Sequence, residues 1–217
     1  MIRKNLKTMV ITSIVIILPI IAGLIFWNEL PDKIAIHWGI DGKADGWGSK
    51  AFAVFGLPLF LLAMHWVCLI ATSLDPKKQN IDGKPLNLVL WICPVISLFI
   101  NTLVYCLSLG IGIDISLISI LFFGIGFMII GNYMPKCRPN YSVGIKVSWT
   151  LNNEENWRMT HRFAGKVWTL GGLVVIASAV FRSFVLFFIE VLIITLIPII
   201  YSYIYHKRQK QKSSKDF

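Results

Sequence analysis

Charged residues are scarce in this sequence of 217 residues: they make up 15% of the chain, and 56% of it is hydrophobic. Soluble domains carry about a quarter charged residues, so this composition excludes both a soluble single-core domain and a disordered chain. Acidic residues are the scarcer sign, with 11 against 21 Lys and Arg, and the formal charge is +10. Such an excess can indicate nucleic-acid binding, but the high hydrophobicity excludes a soluble nucleic-acid-binding protein.

Cysteines are few, and their positions exclude a fold stapled by disulfides. Cys68, Cys93 and Cys106 lie in apolar runs, and Cys137 lies in a loop. The chain has no Cys-x-x-Cys pair and no Cys/His spacing typical of a metal site. It also lacks the zinc-helix, nucleophile-elbow, P-loop and dinucleotide-binding motifs. We therefore predict no enzymatic activity, no catalytic residue, no cofactor and no metal ligand.

Six apolar runs are each long enough to cross a bilayer as a helix, at residues 8–27, 51–72, 86–108, 115–133, 163–181 and 183–205. The first run is followed by Trp27-Asn28-Glu29 rather than by a small-residue cleavage site, so we expect it to remain as an anchor. The fifth and sixth runs are separated by Arg182-Ser183 alone. One continuous helix there would be about 57 Å long, so we predict a tight hairpin at Arg182.

The basic residues indicate how the chain is oriented. With the N-terminus inside the cell, four of the 21 Lys and Arg residues lie outside, namely Lys33, Lys43, Lys50 and Arg182. This asymmetry predicts an all-α polytopic membrane protein with both termini cytoplasmic, and it explains the charge without a nucleic-acid partner. The predicted segments are a two-span module at 1–72 with an outer loop at about 28–50, a central hairpin at 73–134, a cytoplasmic loop at 135–166, and a C-terminal hairpin at 163–217 with a basic tail.

The outer loop is the first of two connections long enough to carry a function. Apolar residues alternate between positions 34 and 38, which indicates a short strand, and Asp41-Gly42 indicates a turn. One interpretation is a docking surface for an extracellular molecule; a metal site from its His and Asp residues, or a loop that merely closes the bundle, are the alternatives. The candidate contacts are His37, Trp38, Asp41, Asp45 and Trp47.

The second long connection is the loop at 135–162, which is rich in cations and turn-forming residues. Asn152 followed by Glu155 resembles a capping box and predicts a helix that runs from there into the fifth span. On that helix Glu154, Arg158 and Arg162 recur at every fourth residue as a charged ladder.

Two interpretations of this loop remain open. It is either an interfacial elbow, with Trp rings in the headgroups and Arg on phosphates, or a cytoplasmic recognition surface. The candidate partner contacts are Arg138, Asn140, Lys146, Trp149, Glu154, Trp157, Arg158, His161 and Arg162. The basic tail at 206–215 is expected to lie against anionic lipid headgroups.

Three polar residues fall inside the apolar runs. His65, Asn101 and Glu190 could mark a polar pathway, which would favour a small transporter or proton-coupled carrier. The alternative is that His65 and Asn101 form hydrogen bonds between helices and that Glu190 reaches the interface.

The two long loops also resemble a known family, the SdpI-type immunity proteins of the sporulation-delaying-protein toxin system in Gram-positive bacteria. The outer part of the resemblance is Leu30-Pro31-Asp32-Lys33-Ile34, His37-Trp38 and Gly42-Lys43-Ala44-Asp45-Gly46-Trp47. The inner part is Gly131-Asn132-Tyr133-Met134-Pro135, Arg138-Pro139-Asn140, Gly144-Ile145-Lys146, Trp149-Thr150-Leu151, Glu154-Glu155-Asn156-Trp157, Thr160-His161-Arg162, Gly165 and Trp168. The chain departs from the family pattern at Lys146, where Arg is usual, and Lys cannot make the bidentate contact of Arg.

The resemblance implies a multi-pass protein of the bacterial cytoplasmic membrane that protects the cell from a secreted, membrane-active peptide toxin. It also implies that some members sense the toxin and hold a cognate transcriptional repressor at the inner face of the membrane. A peptide toxin outside and a repressor inside are therefore the expected partners, with a signal relay without immunity as a further alternative.

Overall fold

The computed structural model describes residues 2–81 and 83–213, with side chains described for 5–81 and 83–212. Its helices and strands are α1 (Ile2–Ile25), β1 (Lys33–Trp38), β2 (Ala44–Ser49), α2 (Leu57–Leu74), α3 (Lys84–Ser108), α4 (Ile115–Tyr133), α5 (Ser148–Leu151), α6 (Glu154–Ser178) and α7 (Phe184–Ser213). Short 3-10 turns cover Lys78–Ile81, Met134–Lys136 and Ala179–Phe181, and a π-helical turn at Phe52–Gly56 leads into α2.

Six helices of the described chain are long and apolar enough to cross a membrane, which confirms the predicted number of spans. Their bounds are Asn5–Ile25, Phe52–Leu74, Lys84–Ser108, Ile115–Lys136, Glu154–Phe181 and Phe184–Lys212. The chain is therefore an all-α, multi-pass membrane protein. Residues 206–213 of the predicted basic tail continue α7 as helix, and residues 214 and 215 of that tail lie outside the described part.

The first of two compact units comprises Met1–Leu74 and Leu86–Ile118. One core cluster joins Ile34 of β1 to Val54 and to Val104 and Tyr105 of α3. Polar residues between the helices are paired as the cross-helix interpretation predicts: the Thr12 hydroxyl and His65 Nε2 share a hydrogen bond of 3.1 Å. Asn101 differs, because its Nδ2 donates to the Ser97 carbonyl on its own helix at 2.8 Å.

The second unit comprises Asp75–Pro85 and Ser119–Phe217, and α6 and α7 pack together in it as a helical hairpin. The turn is at Arg182, whose φ of 51° places it in the left-handed region, so the predicted hairpin is confirmed. The Arg182 N–H donates to the Ala179 carbonyl at 3.0 Å and ends the helical segment. The Ser183 hydroxyl then accepts from the Leu186 N–H at 3.2 Å and caps α7.

The start of α6 differs from the prediction by one residue. Asn153, not Asn152, is the N-cap, and its side chain accepts from the Asn156 N–H at 2.8 Å. Glu155 does not complete a capping box, because both of its carboxylate oxygens accept hydrogen bonds from α7. Two neighbouring Asn residues offer the same side chain, so the pattern alone could not decide which of them caps the helix.

Candidate functional site

The predicted strand and turn of the first long loop form a β-hairpin, residues 33–49. β1 pairs with β2 in antiparallel register, with Ala35 opposite Trp47 and His37 opposite Gly46. At its tip the Gly42 N–H donates to the Gly39 carbonyl at 3.0 Å, and the φ of Gly42 is +75°. The strand and the turn at Asp41-Gly42 are therefore confirmed.

One face of the hairpin is exposed and carries a polar pair beside an aromatic ring. His37 Nδ1 lies 2.5 Å from Asp45 Oδ1, and both side chains are more than half exposed. Trp47 is 59% exposed, and Ile40 at the tip of the hairpin is 65% exposed. This face can offer a docking partner both an aromatic surface and a hydrogen-bonding pair.

The remaining candidates of the hairpin, Trp38 and Asp41, make contacts within the fold. Trp38 is half-buried and packs against the core cluster of the first unit, so it does not belong to the exposed face. Asp41 is exposed, and its Oδ1 accepts from the Lys43 N–H at 3.1 Å within the turn. Among the residues described, no three His, Cys, Asp or Glu side chains are grouped as a metal site would require.

The second long loop folds into what we call the platform: residues 134–161 together with Asp75 and the stretch 202–209 of α7. At its centre the rings of Trp157 and His161 stack with centroids 4.0 Å apart. Trp157 Nε1 donates to the Cys137 carbonyl at 2.8 Å. The Ile145 N–H donates to His161 Nε2 at 3.0 Å, so the neutral ring carries its proton on Nδ1 and donates it to the Trp157 carbonyl.

Gly144 lets the loop pass over this ring stack. Its φ is +121°, a conformation that side-chain-bearing residues rarely adopt. A Cβ atom at this position would collide with the ring of His161 and lie 3.1 Å from the ring of Trp157. The backbone therefore approaches the rings closely enough for the next residue, Ile145, to donate to His161.

Asp75 ties the segment after α2 to the loop. Its Oδ2 accepts from the Tyr141 N–H at 2.8 Å and the Ser142 hydroxyl at 2.7 Å, and its Oδ1 accepts from the Lys77 N–H at 2.7 Å. Burial by itself raises the pKa of the Asp75 carboxyl, but the hydrogen bonds together outweigh burial and hold its pKa below the usual value. The carboxylate is therefore kept charged as the anchor of this contact.

Asn140 organises the same turn from inside. Its Oδ1 accepts from the N–H groups of Ser142 and Val143 at 2.9 and 2.6 Å, and its Nδ2 donates to the Arg138 carbonyl at 2.7 Å. All the hydrogen-bonding atoms of this side chain have partners within the loop. Asn140 is therefore a positioning residue of the platform.

The end of α7 packs against α5 and the start of α6. Trp149 Nε1 donates to the Ser202 hydroxyl at 2.9 Å, and Asn156 Nδ2 donates to the Ser202 carbonyl at 3.1 Å. The Tyr205 hydroxyl and the Gln209 amide donate to the two carboxylate oxygens of Glu155 at 2.9 and 3.0 Å. These bonds attach the end of α7 to the rest of the platform.

The predicted partner contacts differ in how far they are exposed. Asn140, Trp157 and His161 are each 1% exposed, so burial corrects their assignment as partner contacts: they serve the interior of the platform. Trp149 is half-buried against α7. The exposed candidates are Arg138, Lys146, Glu154, Arg158 and Arg162.

Glu190 lies at the other end of the α6–α7 hairpin. Its Oε2 accepts from the Ser178 hydroxyl at 2.8 Å, so the intramembrane carboxyl has a partner on the neighbouring helix. This pairing gives Glu190 a role in joining the two helices.

Sequence reasoning missed Asp75, Ser202 and Gln209, although each ties distant segments of the platform together. Asp75-Pro76 after the second apolar run was a weak signal, because this pair favours a turn. Nothing in the sequence marks the partners of Ser202 and Gln209, which lie 46 to 56 residues away along the chain.

The β-hairpin and most of the platform fall within regions that match family models. Residues 136–202 match the SdpI/YfhL protein family, and residues 14–62 match a domain of unknown function, DUF1648. The chain is 27% identical over 210 residues to Immunity protein SdpI of Bacillus subtilis (strain 168), covering 94% of this chain and 98% of that protein. No solved structure matches. The resemblance to the SdpI-type proteins that the two loops predicted is confirmed.

Proposed function

We propose that this chain, a relative of the SdpI-type immunity proteins, protects a bacterial cell from a secreted, membrane-active peptide toxin at the cytoplasmic membrane. The similarity to Immunity protein SdpI carries the proposal, because it covers 94% of the chain. The matched regions contain the β-hairpin and most of the platform, the two connections with folded structure of their own. Six apolar helices supply the membrane anchor that such a function requires.

The β-hairpin faces the medium in this proposal, and the platform faces the cytoplasm. This assignment rests on the order of the spanning helices along the chain, since one of them precedes the hairpin and four precede the loop of the platform. The excess of basic residues in the platform and in the end of α7 favours the cytoplasmic side for these segments.

The toxin contact is assigned to the exposed face of the hairpin. A membrane-active peptide has an apolar surface, which Trp47 and Ile40 can cover, and His37 with Asp45 can bond to its backbone. Trp47 is the anchor of this surface, because exposed aromatic residues contribute most to binding at such interfaces.

Survival under toxin tests the proposal. A strain sensitive to the toxin of the sporulation-delaying system would express the intact chain, Trp47→Ala, or the control Trp91→Ala, which removes another exposed indole from α3. We expect protection by the intact chain and the control, and survival reduced about ten-fold or more by Trp47→Ala. Killing that the intact, membrane-inserted chain leaves unchanged would exclude the immunity function. Full protection by Trp47→Ala would instead exclude the hairpin as the contact.

A second function, recruitment of a DNA-binding repressor, is favoured by the fixed conformation of the platform. Asp75 and Asn140 fix the turn that carries the exposed side chains of Tyr141 and Lys146. A fixed cationic surface suits an acidic patch on a cytoplasmic protein.

The recruitment proposal is tested with a fluorescent fusion to the cognate repressor of the sporulation-delaying system. We expect toxin to move it to the membrane, and Arg138→Ala with Lys146→Ala to abolish that movement. The control, Lys210→Ala with Lys212→Ala, removes the same charge from the end of α7 and should recruit normally. Recruitment by the platform variant would contradict this assignment.

A further inference from the structure

The exposed face of α6 changes from cationic to apolar along its length. Arg158, Arg162 and Lys166 recur at every fourth residue, and all three are exposed. The same row continues with Leu170 and Val174, which are 63% and 56% exposed. Leu170 and Val174 face lipid, because exposed apolar residues on a spanning helix do so. Each step of four residues turns the row by about 40°, so Lys166 and Arg162 lie within about 80° of Leu170. Arg158 is turned further round the helix and lies close enough to Tyr205 of α7 to act on it electrostatically.

The neighbouring helix shows how far these cations reach toward the apolar band. The rings of Phe163 and Tyr201 stack with centroids 4.3 Å apart, which places these two residues at the same level of the hairpin. At this level α7 exposes the apolar side chain of Ile200, and its first cation is Lys207. Lys207 lies about 9 Å from Tyr201 along α7, toward the C-terminal end of that helix. Because α6 and α7 form a hairpin and run in opposite directions, Lys166 lies about 4.5 Å from Phe163 the other way, toward the apolar band.

The described acidic residues do not neutralise this face. None of the ion pairs found among residues 5–81 and 83–212 involves Arg158, Arg162 or Lys166. Glu154 begins the row one turn before Arg158 and is exposed. The carboxylate of Glu155 is engaged by Tyr205 and Gln209 of α7. These donors are neutral and leave the Glu155 carboxylate charged, so three cations meet two acids, both at the start of α6. Arg162 and Lys166 have no acidic residue within four positions along the helix.

We propose that Arg158, Arg162 and Lys166 form a binding site for the phosphate of anionic phospholipids. Cations at the edge of the hydrocarbon are costly unless an anion meets them, and the phosphate is the anion that lipid supplies at this depth. Side chains of a helix lean toward its N-terminus, so these three reach from the apolar band back toward the headgroups. The Arg guanidinium groups offer paired donors to phosphate oxygens, and Lys166 adds a point charge deeper along the row.

The site is distinct from the end of α7, for which the sequence also predicts headgroup contacts. Lys207, Arg208, Lys210 and Lys212 lie beyond the last exposed apolar residue of that helix and carry their charge where water is accessible. If lipid binding were a general attraction to an anionic surface, removing the α7 cations would weaken it as much as removing the α6 cations. A specific site on α6 depends on Arg158, Arg162 and Lys166.

Retention of lipid by the purified chain tests the site. The protein is reconstituted in nanodiscs of equal parts phosphatidylcholine and phosphatidylglycerol, released into detergent, and analysed by native mass spectrometry for bound lipid. The site variant carries Arg158→Gln, Arg162→Gln and Lys166→Gln. The matched control carries Lys207→Gln, Arg208→Gln and Lys210→Gln and removes the same charge from α7.

We expect the intact chain and the control to retain phosphatidylglycerol in preference to phosphatidylcholine. Because each basic side chain near an anionic surface changes binding by a factor of roughly five, the site variant should lose this preference by about ten-fold or more. Arg158→Lys with Arg162→Lys should retain part of it, which shows that charge rather than folding is measured.

Three results would overturn the proposal. The site variant could retain phosphatidylglycerol as the intact chain does, or the control could lose as much as the site variant. Inorganic phosphate in excess could also displace the lipid from the intact chain, which would indicate a site for free phosphate. The test does not depend on protection from a toxin, so its failure leaves the proposed immunity function in place.

Discussion

Replacing Asp75 by Asn should open the platform locally without unfolding the helices. An Asn side chain has one acceptor oxygen, so it can replace Oδ2, which serves Tyr141 and Ser142, or Oδ1, which serves Lys77. The first orientation loses one hydrogen bond, that of Lys77, and the second loses two, so we expect the Asn side chain to adopt the first. Such a bond contributes about 2 kcal/mol, which corresponds to a roughly 30-fold change in the opening equilibrium.

Amide hydrogen exchange measures this opening. We expect the Tyr141 N–H to exchange about 30-fold faster in Asp75→Asn than in the intact chain, with spanning helices unaffected. Asp41→Asn is the matched control, because Asp41 also accepts a hydrogen bond from a backbone group, the Lys43 N–H, but does so in an exposed turn. It should leave exchange at Tyr141 unchanged. Equal exchange in the intact chain and Asp75→Asn would refute the assignment of Asp75 as the anchor.

The dependence on pH follows from the lowered pKa of Asp75. A carboxyl whose pKa is lower in the folded state stabilises the fold at pH values above its unfolded pKa, and this contribution is lost as the pH falls through the folded pKa. Protection of the Tyr141 amide should therefore hold at neutral pH and decline in acid below the usual range for aspartate. Asp75→Asn should lack this decline.

Three further substitutions or measurements probe the interior. Gly144→Ala should lower the thermal unfolding temperature in detergent more than Gly110→Ala, because both have positive φ but a Cβ at Gly144 meets two rings and one at Gly110 meets open space; equal effects would contradict the close approach. Ser178→Ala should destabilise the α6–α7 hairpin by about 1–3 kcal/mol, because Glu190 loses its donor, and an unchanged unfolding midpoint would refute this pairing. Burial raises the pKa of the Cys137 thiol to about 11, so a variant with this single cysteine should react with maleimide at pH 8 only after unfolding, and rapid labelling of the folded chain would show that the thiol is accessible.

The spans and the turns between them could be predicted because their signals are local. A run of apolar residues predicts a spanning helix wherever it lies, and Arg182 had to end one because the alternative exceeds the thickness of a bilayer. The β-hairpin was predictable for the same reason, since the alternation of apolar residues along β1 and the Asp41-Gly42 turn are each contained in a few residues.

The interior of the platform could not be predicted, because its contacts join residues far apart in the sequence. Asp75 meets Ser142 across 67 residues, and Trp149 meets Ser202 across 53. A polar residue in a loop has the same local sequence whether it is solvated or anchors a distant backbone group. Side-chain type shows that Asp75 can accept hydrogen bonds, but the fold decides which donors it receives.

The two rows on α6 show why residue type alone assigned the partner contacts incorrectly. Trp157 and His161 are four residues apart, as are Arg158 and Arg162, so both pairs form rows that sequence periodicity treats alike. A buried His or Trp needs a partner for each ring N–H or lone pair, and the Cys137 carbonyl and the close approach of the 144–145 backbone provide those partners. A guanidinium has five donors and a permanent charge, which the platform interior does not satisfy, so the Arg row faces outward. The aromatic row therefore builds the platform, and the cationic row remains available to an external anion.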